Sequence, residues 1–325
     1  MARVRSRKLP GVCSSVVDAI GRTPLVALER LSEGLPGLVL AKLESFSPGG
    51  GVKDRIALRM IEDAEGDGRL KPGGAIVELT SGNTGIGLAI VAAVRGYRFH
   101  AVMSEGNSVE RQRMLRALGA DLVLVPQAPG GVPGEVSGED LELVEHRAAE
   151  LTRELHAFRP DQFNNRSGFE AHEDTTGPEI WEQTGGAVDA FVASIGTAGT
   201  FVGVARALKK RNPAIRCIAA EPAGTRTLAG CEVIGTHHKI QGTGYNMVPP
   251  RWAPELCDDY LGVTDEDAVR TTRLLATREG IFAGFSSGAN VWAALQVAGT
   301  AREASIIVTI CPDTGLKYLS TDLFP

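Results

Sequence analysis

The chain has 325 residues, enough for two domains or one large α/β unit, and its 43% hydrophobic content can fill a sizeable core. Its 34 basic and 39 acidic residues leave a net charge of -5, which argues against nucleic acid or an anionic membrane surface as the main partner. Cys13, Cys217, Cys231, Cys257 and Cys311 form no Cys-x-x-Cys pair, so free thiols in a reducing cytoplasm are expected, and no metal site.

Residues 1–10 carry Arg3, Arg5, Arg7 and Lys8 without an apolar stretch, so they read as a basic tail and not as a secretory signal. No apolar run approaches the ~20 residues that cross a bilayer. Strands are expected over 23–28 and 39–44. Next comes Ser47-Pro48-Gly49-Gly50-Gly51-Val52-Lys53-Asp54-Arg55, a glycine-rich turn that delivers one lysine at the mouth of a helix over 54–62. It is not a phosphate-binding P-loop, because Val52 separates Gly51 from Lys53 and Asp54 follows. A surface lysine starting a helix remains open. Three successive glycines point the other way, being most useful where something must approach closely.

Strands over 75–79, 99–103 and 121–125 then alternate with helices over 84–94 and 109–118. Short Val- and Ile-rich runs each followed by a helix predict a parallel sheet covered on both faces. The stretch 126–138 holds three prolines and four glycines, which makes it an exposed loop, and a helix resumes over 139–156. Strands over 188–193, 216–220, 281–285 and 306–310, with helices over 200–209, 265–277 and 289–297, repeat the theme. Two sheets are thus expected, one on each side of the region 126–160. The segment 223–254 is too long for an ordinary connection and reads as a lid or binding wall. The pair His237-His238 reads as loop.

Ligands of such folds sit at the carboxyl ends of parallel strands. Thr80-Ser81-Gly82-Asn83-Thr84-Gly85 offers hydroxyls, an amide and free N–H groups for a carboxylate or phosphate, although plain helix capping is the competing account. It is not the dinucleotide fingerprint, whose close glycine pair comes first. Gly196-Thr197-Ala198-Gly199-Thr200 suits a phosphate dianion at a helix N-terminus, or a tight strand-to-helix turn. Ser286-Ser287-Gly288 looks like a helix cap in isolation, and Gln162 alone is uninformative. One ligand accounts for a lysine, a phosphate cup, a carboxylate cup and a neutral hydroxyl together, namely pyridoxal 5'-phosphate.

At this point the residues resemble the cysteine synthase (O-acetylserine sulfhydrylase) and cystathionine β-synthase family of fold-type-II pyridoxal phosphate enzymes. The likeness runs from Ile20-Gly21-Arg22-Thr23-Pro24-Leu25 through the lysine turn, Thr80 to Ala89, Thr175 to Trp181 and Gly280 to Gly288, and ends at Pro312 to Thr321. It implies two three-layer α/β/α domains with mostly parallel sheets, as in tryptophan synthase β. The smaller would span 46–157, and the larger would combine 12–45 with 158–325. It implies that Lys53 carries the cofactor as an internal aldimine and then serves as base at the substrate Cα. Asn83 would hydrogen-bond the phenolic oxygen, Gly196, Thr197, Ala198, Gly199 and Thr200 would hold the phosphate, and Ser286 would face the ring nitrogen. Thr80, Ser81, Thr84, Gln162 and Gly242 would bind the amino-acid substrate.

The implied reaction is β-replacement on an activated L-serine, O-acetylserine first, through an α-aminoacrylate that sulfide converts to L-cysteine. The alternatives are O-phosphoserine as donor (met by Arg226 or Arg251), serine with homocysteine, an amine nucleophile, a lyase or dehydratase, and a non-catalytic paralogue. No regulatory domain follows Pro325, which disfavours the cystathionine β-synthase reading. A cytoplasmic homodimer is implied, with a serine acetyltransferase C-terminal tail as a visiting partner. The sequence departs from the family pattern at Ser47 (usually Asn), Gly51 (usually Ser), Asn164-Asn165-Arg166-Ser167, and Tyr245-Asn246, where smaller residues are common; the loop 126–138 is longer than usual.

Overall fold

The computed structural model describes residues 11–80, 82–131, 136–235 and 238–324. The basic tail at 1–10, Ser81, part of the loop 126–138 and His237 lie outside them.

The chain opens with β1 (Leu25–Ala27) and β2 (Leu38–Leu43), then α1 (Lys53–Gly66), β3 (Ala75–Leu79), α2 (Asn83–Arg95), β4 (Arg98–Ser104), α3 (Val109–Ala117) and β5 (Asp121–Val125). Next come α4 (Gly138–Glu154), α5 (Ser167–Ala171), α6 (Gly177–Gln183), β6 (Ala190–Ser194), α7 (Gly199–Arg211) and β7 (Arg216–Pro222). β8 (Asp259–Val263), α8 (Asp265–Leu274), α9 (Phe285–Gly299) and β9 (Ile306–Cys311) complete it. This is the α/β architecture expected, in two sheets. β3, β4 and β5 form one, all parallel; the other has the order β1-β2-β9-β6-β7-β8, parallel except for the antiparallel edge pair β1–β2.

Burial explains the pattern. All five residues of β3 are buried, as a strand covered on both faces requires. α2 is apolar almost all round and lies between the small sheet and α1, with the Cα of Asp54 only 3.1 Å from where a Cβ on Gly87 would sit. α4 starts in a capping box, in which Ser137 Oγ accepts from Asp140 N–H and Asp140 Oδ2 accepts from Ser137 N–H.

Three expectations are corrected. β1 and β2 precede the loop region but belong to the six-stranded sheet, so the sheets are not simply one on each side of 126–160. Residues 281–285 are not a strand: Ala283 makes a single bridge to Thr314, and Phe285 already begins α9. A short apolar run does not distinguish a strand from the entry to a buried helix. β8 was not expected at all; it is an edge strand whose first four residues keep some exposure, so its hydrophobic signal is weak.

Candidate active site

The lysine turn folds back on the segment that follows β9. Gly50 N–H donates to Ser47 O at 2.8 Å, Val52 N–H to Pro312 O at 2.8 Å, and Thr314 N–H to Gly50 O at 3.2 Å. The three glycines have separate causes. A Cβ on Gly49 would lie 2.4 Å from Asp54 Oδ1, Gly50 has φ of +65°, and a Cβ on Gly51 would lie 3.2 Å from Lys317 Nζ. Lys53 is thereby set as the first residue of α1. Its Nζ lies 3.5 Å from Thr197 Oγ1 and has no carboxylate partner among the described residues. Burial pushes its pKa down to about 8. Such an amine is available as nucleophile or base near neutral pH.

Two residues on, Arg55 ties α1 to the large sheet. Its Nε is 2.7 Å from Glu44 Oε2 and its Nη1 2.7 Å from Glu179 Oε1; Lys42 Nζ meets Glu179 Oε2 at 2.7 Å. Thr23 Oγ1 donates to Glu44 Oε1, and the Thr23 carbonyl accepts from Lys42. Two cations and two carboxylates thus satisfy one another out of water, which fixes the lysine helix against β2 and α6. Sequence reasoning passed over this network. Its signal was there in Lys42, Glu44, Arg55 and Glu179, four charges inside otherwise apolar or motif segments.

Past β3, Thr80 Oγ1 accepts from the N–H groups of Gly82 and Gly85, at 3.2 and 2.8 Å. Thr80 therefore caps the start of α2, and only its hydroxyl proton is left for a ligand. Thr84 Oγ1 donates to Gln162 Oε1 at 2.6 Å, and Gln162 Nε2 reaches Leu79 O at 3.3 Å, so two residues far apart in sequence meet. Asn83 is held on both sides: Lys317 Nζ donates to its Oδ1 at 2.6 Å, and its Nδ2 donates to Asp313 Oδ2 at 2.8 Å.

The turn after β6 is shaped by close backbone approach. Ala198 takes φ of +67°. A Cβ on Gly196 would lie 2.2 Å from Gly242 O, and one on Gly199 2.6 Å from Gly168 O. The turn delivers Gly199 and Thr200 as the opening of α7, where free N–H groups and the helix dipole favour an anion. His172 supports it, a residue the sequence reading missed. Its ring is fully buried, with Nε2 3.2 Å from Thr200 Oγ1 and Nδ1 2.9 Å from Thr176 Oγ1. Burial first, then the Arg55 and Lys53 charges, hold its pKa well below the ordinary value, so the imidazole is neutral. Ser286, in the first turn of α9, is buried and makes no hydrogen bond through its hydroxyl among the described residues.

The segment expected as a wall packs over this turn. Gly242 takes φ of +85°, Gly244 N–H donates to Ile195 O at 3.3 Å, and Tyr245 meets Phe163 edge-on at 5.7 Å between centroids. Beside these rings a cleft of about 560 Å³ is lined by Leu79, Leu141, Phe163, Tyr245 and Met247. Arg226 donates to Tyr260 O and Arg251 to Asn164 O, so neither of the arginines expected for a donor phosphate is directed there. Among the described residues, no group of three or more His, Cys, Asp or Glu could hold a metal. No helix among them is long and apolar enough to cross a membrane.

A family model described as pyridoxal-phosphate dependent enzyme matches residues 16–313. The chain is similar to a cysteine synthase of Staphylococcus aureus (strain Mu50), with 43% identity over 311 residues that cover 95% of this chain and 96% of that protein. Among solved structures, it is similar to an O-ureido-L-serine synthase, with 44% identity, a TM-score of 0.88 and coverage of 96% of this chain and 95% of that one. It is also similar to a cysteine synthase from Entamoeba histolytica, with 36% identity, a TM-score of 0.89 and coverage of 100% and 94%.

Proposed function

Because this chain belongs to the pyridoxal-phosphate dependent enzymes, within the cysteine synthase family, we propose that it replaces the acetoxy group of O-acetyl-L-serine with sulfide, giving L-cysteine and acetate. Its cofactor is pyridoxal 5'-phosphate. When bound, that group withdraws electrons from the substrate Cα, so that a proton and a β-substituent can leave. Three features fit it: a buried Ser286 with no hydrogen bond to its hydroxyl among the described residues, backbone too close for a side chain at Gly196 and Gly199, and a lysine with no carboxylate partner among the described residues.

In this reading Lys53 holds the cofactor covalently and then, released, takes the Cα proton. Gly196, Thr197, Ala198, Gly199 and Thr200 bind the phosphate, with His172 orienting the Thr200 hydroxyl. Asn83 gives one amide N–H to the phenolic oxygen. Ser286 faces the ring nitrogen as a neutral hydroxyl, which does not enforce a positive ring and so favours loss of a β-substituent over transamination. The Thr80 proton, Thr84, Gln162 and Ser81 receive the substrate carboxylate, and Gly242 walls the substrate.

The observation that carries the reading is the approach of Lys53 Nζ to Thr197 Oγ1, which supports a single ligand shared by the lysine and the turn. The engagement of Arg226 and Arg251 elsewhere supports O-acetylserine over O-phosphoserine. The test is addition of O-acetylserine and then sulfide. The wild type should change its visible cofactor band and then release cysteine, and Lys53→Ala should do neither. An unchanged band with O-acetylserine, O-phosphoserine and serine alike overturns the reading.

The apolar cleft beside Tyr245 favours a second reading, a larger nucleophile such as homocysteine, because sulfide needs no such space. Faster turnover with homocysteine than with sulfide would select it. A cytoplasmic homodimer visited by a serine acetyltransferase tail completes the proposal, and sedimentation with and without that peptide tests it. The division into 46–157 and 12–45 with 158–325 is supported by the two sheets, whose strands never pair with each other.

A further inference from the structure

Lys317 has no place in the site assigned so far. It lies in the 3-10 turn Gly315–Tyr318 after β9 and is 1% exposed. Its Nζ donates to Asn83 Oδ1 at 2.6 Å and to Gly50 O at 3.0 Å. On the other side of the same amide, Asp313 Oδ2 accepts from Asn83 Nδ2 at 2.8 Å and from Tyr318 OH at 2.8 Å. A cation faces the amide oxygen and a carboxylate faces the amide nitrogen, so the asparagine can sit only one way round. One N–H of that nitrogen remains for a ligand.

Gly51 explains how a lysine reaches this point. A Cβ there would lie 3.2 Å from Lys317 Nζ and 3.4 Å from both Asp313 Cβ and Pro312 O. A serine, the usual residue at this place in the family, would add an oxygen to that crowding. The departure at residue 51 and the buried lysine at 317 therefore belong together.

We propose that Lys317 is a positioning residue that acts on the cofactor's phenolic oxygen through Asn83, and that residue 51 is glycine to admit it. The proposal rests on the cofactor reading given above. A charge-assisted bond to the amide oxygen polarises the amide and strengthens its remaining N–H as a donor. The charge also disfavours protonation of nearby groups, the cofactor included. The charged groups facing Lys317 are Asp313 after β9, Asp54 in α1 and Arg111 in α3; the two carboxylates support its charge, while burial and Arg111 oppose it. The Tyr318 hydroxyl faces Asp313 and stays neutral.

The test is a pH titration of the visible cofactor band in the holoenzyme without substrate. Lys317→Met should raise the midpoint by about one pH unit, a tenfold change in the protonation constant. Gly51→Ser, which keeps the lysine but crowds it, should move the midpoint the same way. Lys317→Arg, which keeps the cation, should retain most of the wild-type midpoint. In an Asn83→Ala background, Lys317→Met should have less than half its effect. If Asn83→Ala changes the band while Lys317→Met and Gly51→Ser leave it at the wild-type midpoint, the proposal is overturned and the cofactor reading stands. If Asn83→Ala leaves the band unchanged, the placement of Asn83 at the cofactor fails first, and this proposal with it.

Discussion

Replacing Arg55 with methionine should strip a charge from the centre of the buried network while keeping a side chain of similar reach. Arg55 donates to both oxygens of Glu44, both oxygens of Glu179, Thr23 and Thr175. Glu179 keeps Lys42 at 2.7 Å after the change. Glu44, whose side chain is fully inaccessible, keeps only the Thr23 hydroxyl and loses its contacting cation. Stranding one member of a buried ion pair costs about 3–5 kcal/mol. With a urea slope of about 3 kcal/mol/M, the unfolding midpoint should fall by about 1–1.7 M. The three tryptophans provide a fluorescence signal for that titration. Adding Glu44→Gln removes the stranded charge and should recover at least half of the loss. A single variant as stable as the wild type, or a double variant no better than the single one, would refute the account of the network.

The other predictions concern titration and close approach. Burial pushes the Glu179 carboxyl up, but Arg55 and Lys42 outweigh it and hold the pKa down to about 2, below the ordinary glutamate value of 4.5. Its contribution to stability is thus complete above about pH 4.5 and lost as the pH falls through 2, so the stability gap between the wild type and Glu179→Gln should shrink over that window in acid unfolding. Lys53, with its pKa lowered to about 8, should take up cofactor at a rate that rises with pH and levels off near 8 and not near 10.5, as stopped-flow absorbance on cofactor-free protein would report. Gly196→Ala would bring a methyl group 2.2 Å from Gly242 O, a contact with backbone that cannot rotate away. The forced shift of about 1–3 kcal/mol should weaken cofactor affinity roughly 10-fold or more by equilibrium titration. Wild-type affinity in that variant would mean the turn does not hold the phosphate.

Most of the fold was readable because buried parallel strands are short, apolar and each followed by a helix, as at 75–79 and 121–125, where the expected bounds match β3 and β5. The 281–285 error has the same root, since an apolar run reports burial and not backbone shape. Lys53, Asn83 and the turn 196–200 stood out as candidates because glycines and hydroxyls cluster at strand ends. The contacts between distant segments were not. Nothing in the sequence says that Thr84 meets Gln162, or that His172 lies under Thr200, until the sheets are assembled. The glycine at 51 was visible as a departure, but its reason lies 266 residues further on, at the ammonium of Lys317.

The strand order carries one last consequence, for the timing of assembly during synthesis. β9 sits between β2 and β6, so the second strand made has no neighbour on its inner side until residues 306–311 have been made. The Pro312–Lys317 segment that braces the lysine turn comes later still. The small sheet can zip up early from local partners, but the turn bearing Lys53 must wait, unbraced, until residues 312–317 have left the ribosome. A nascent chain therefore cannot brace the Lys53 turn before the strand that completes the large sheet has been made.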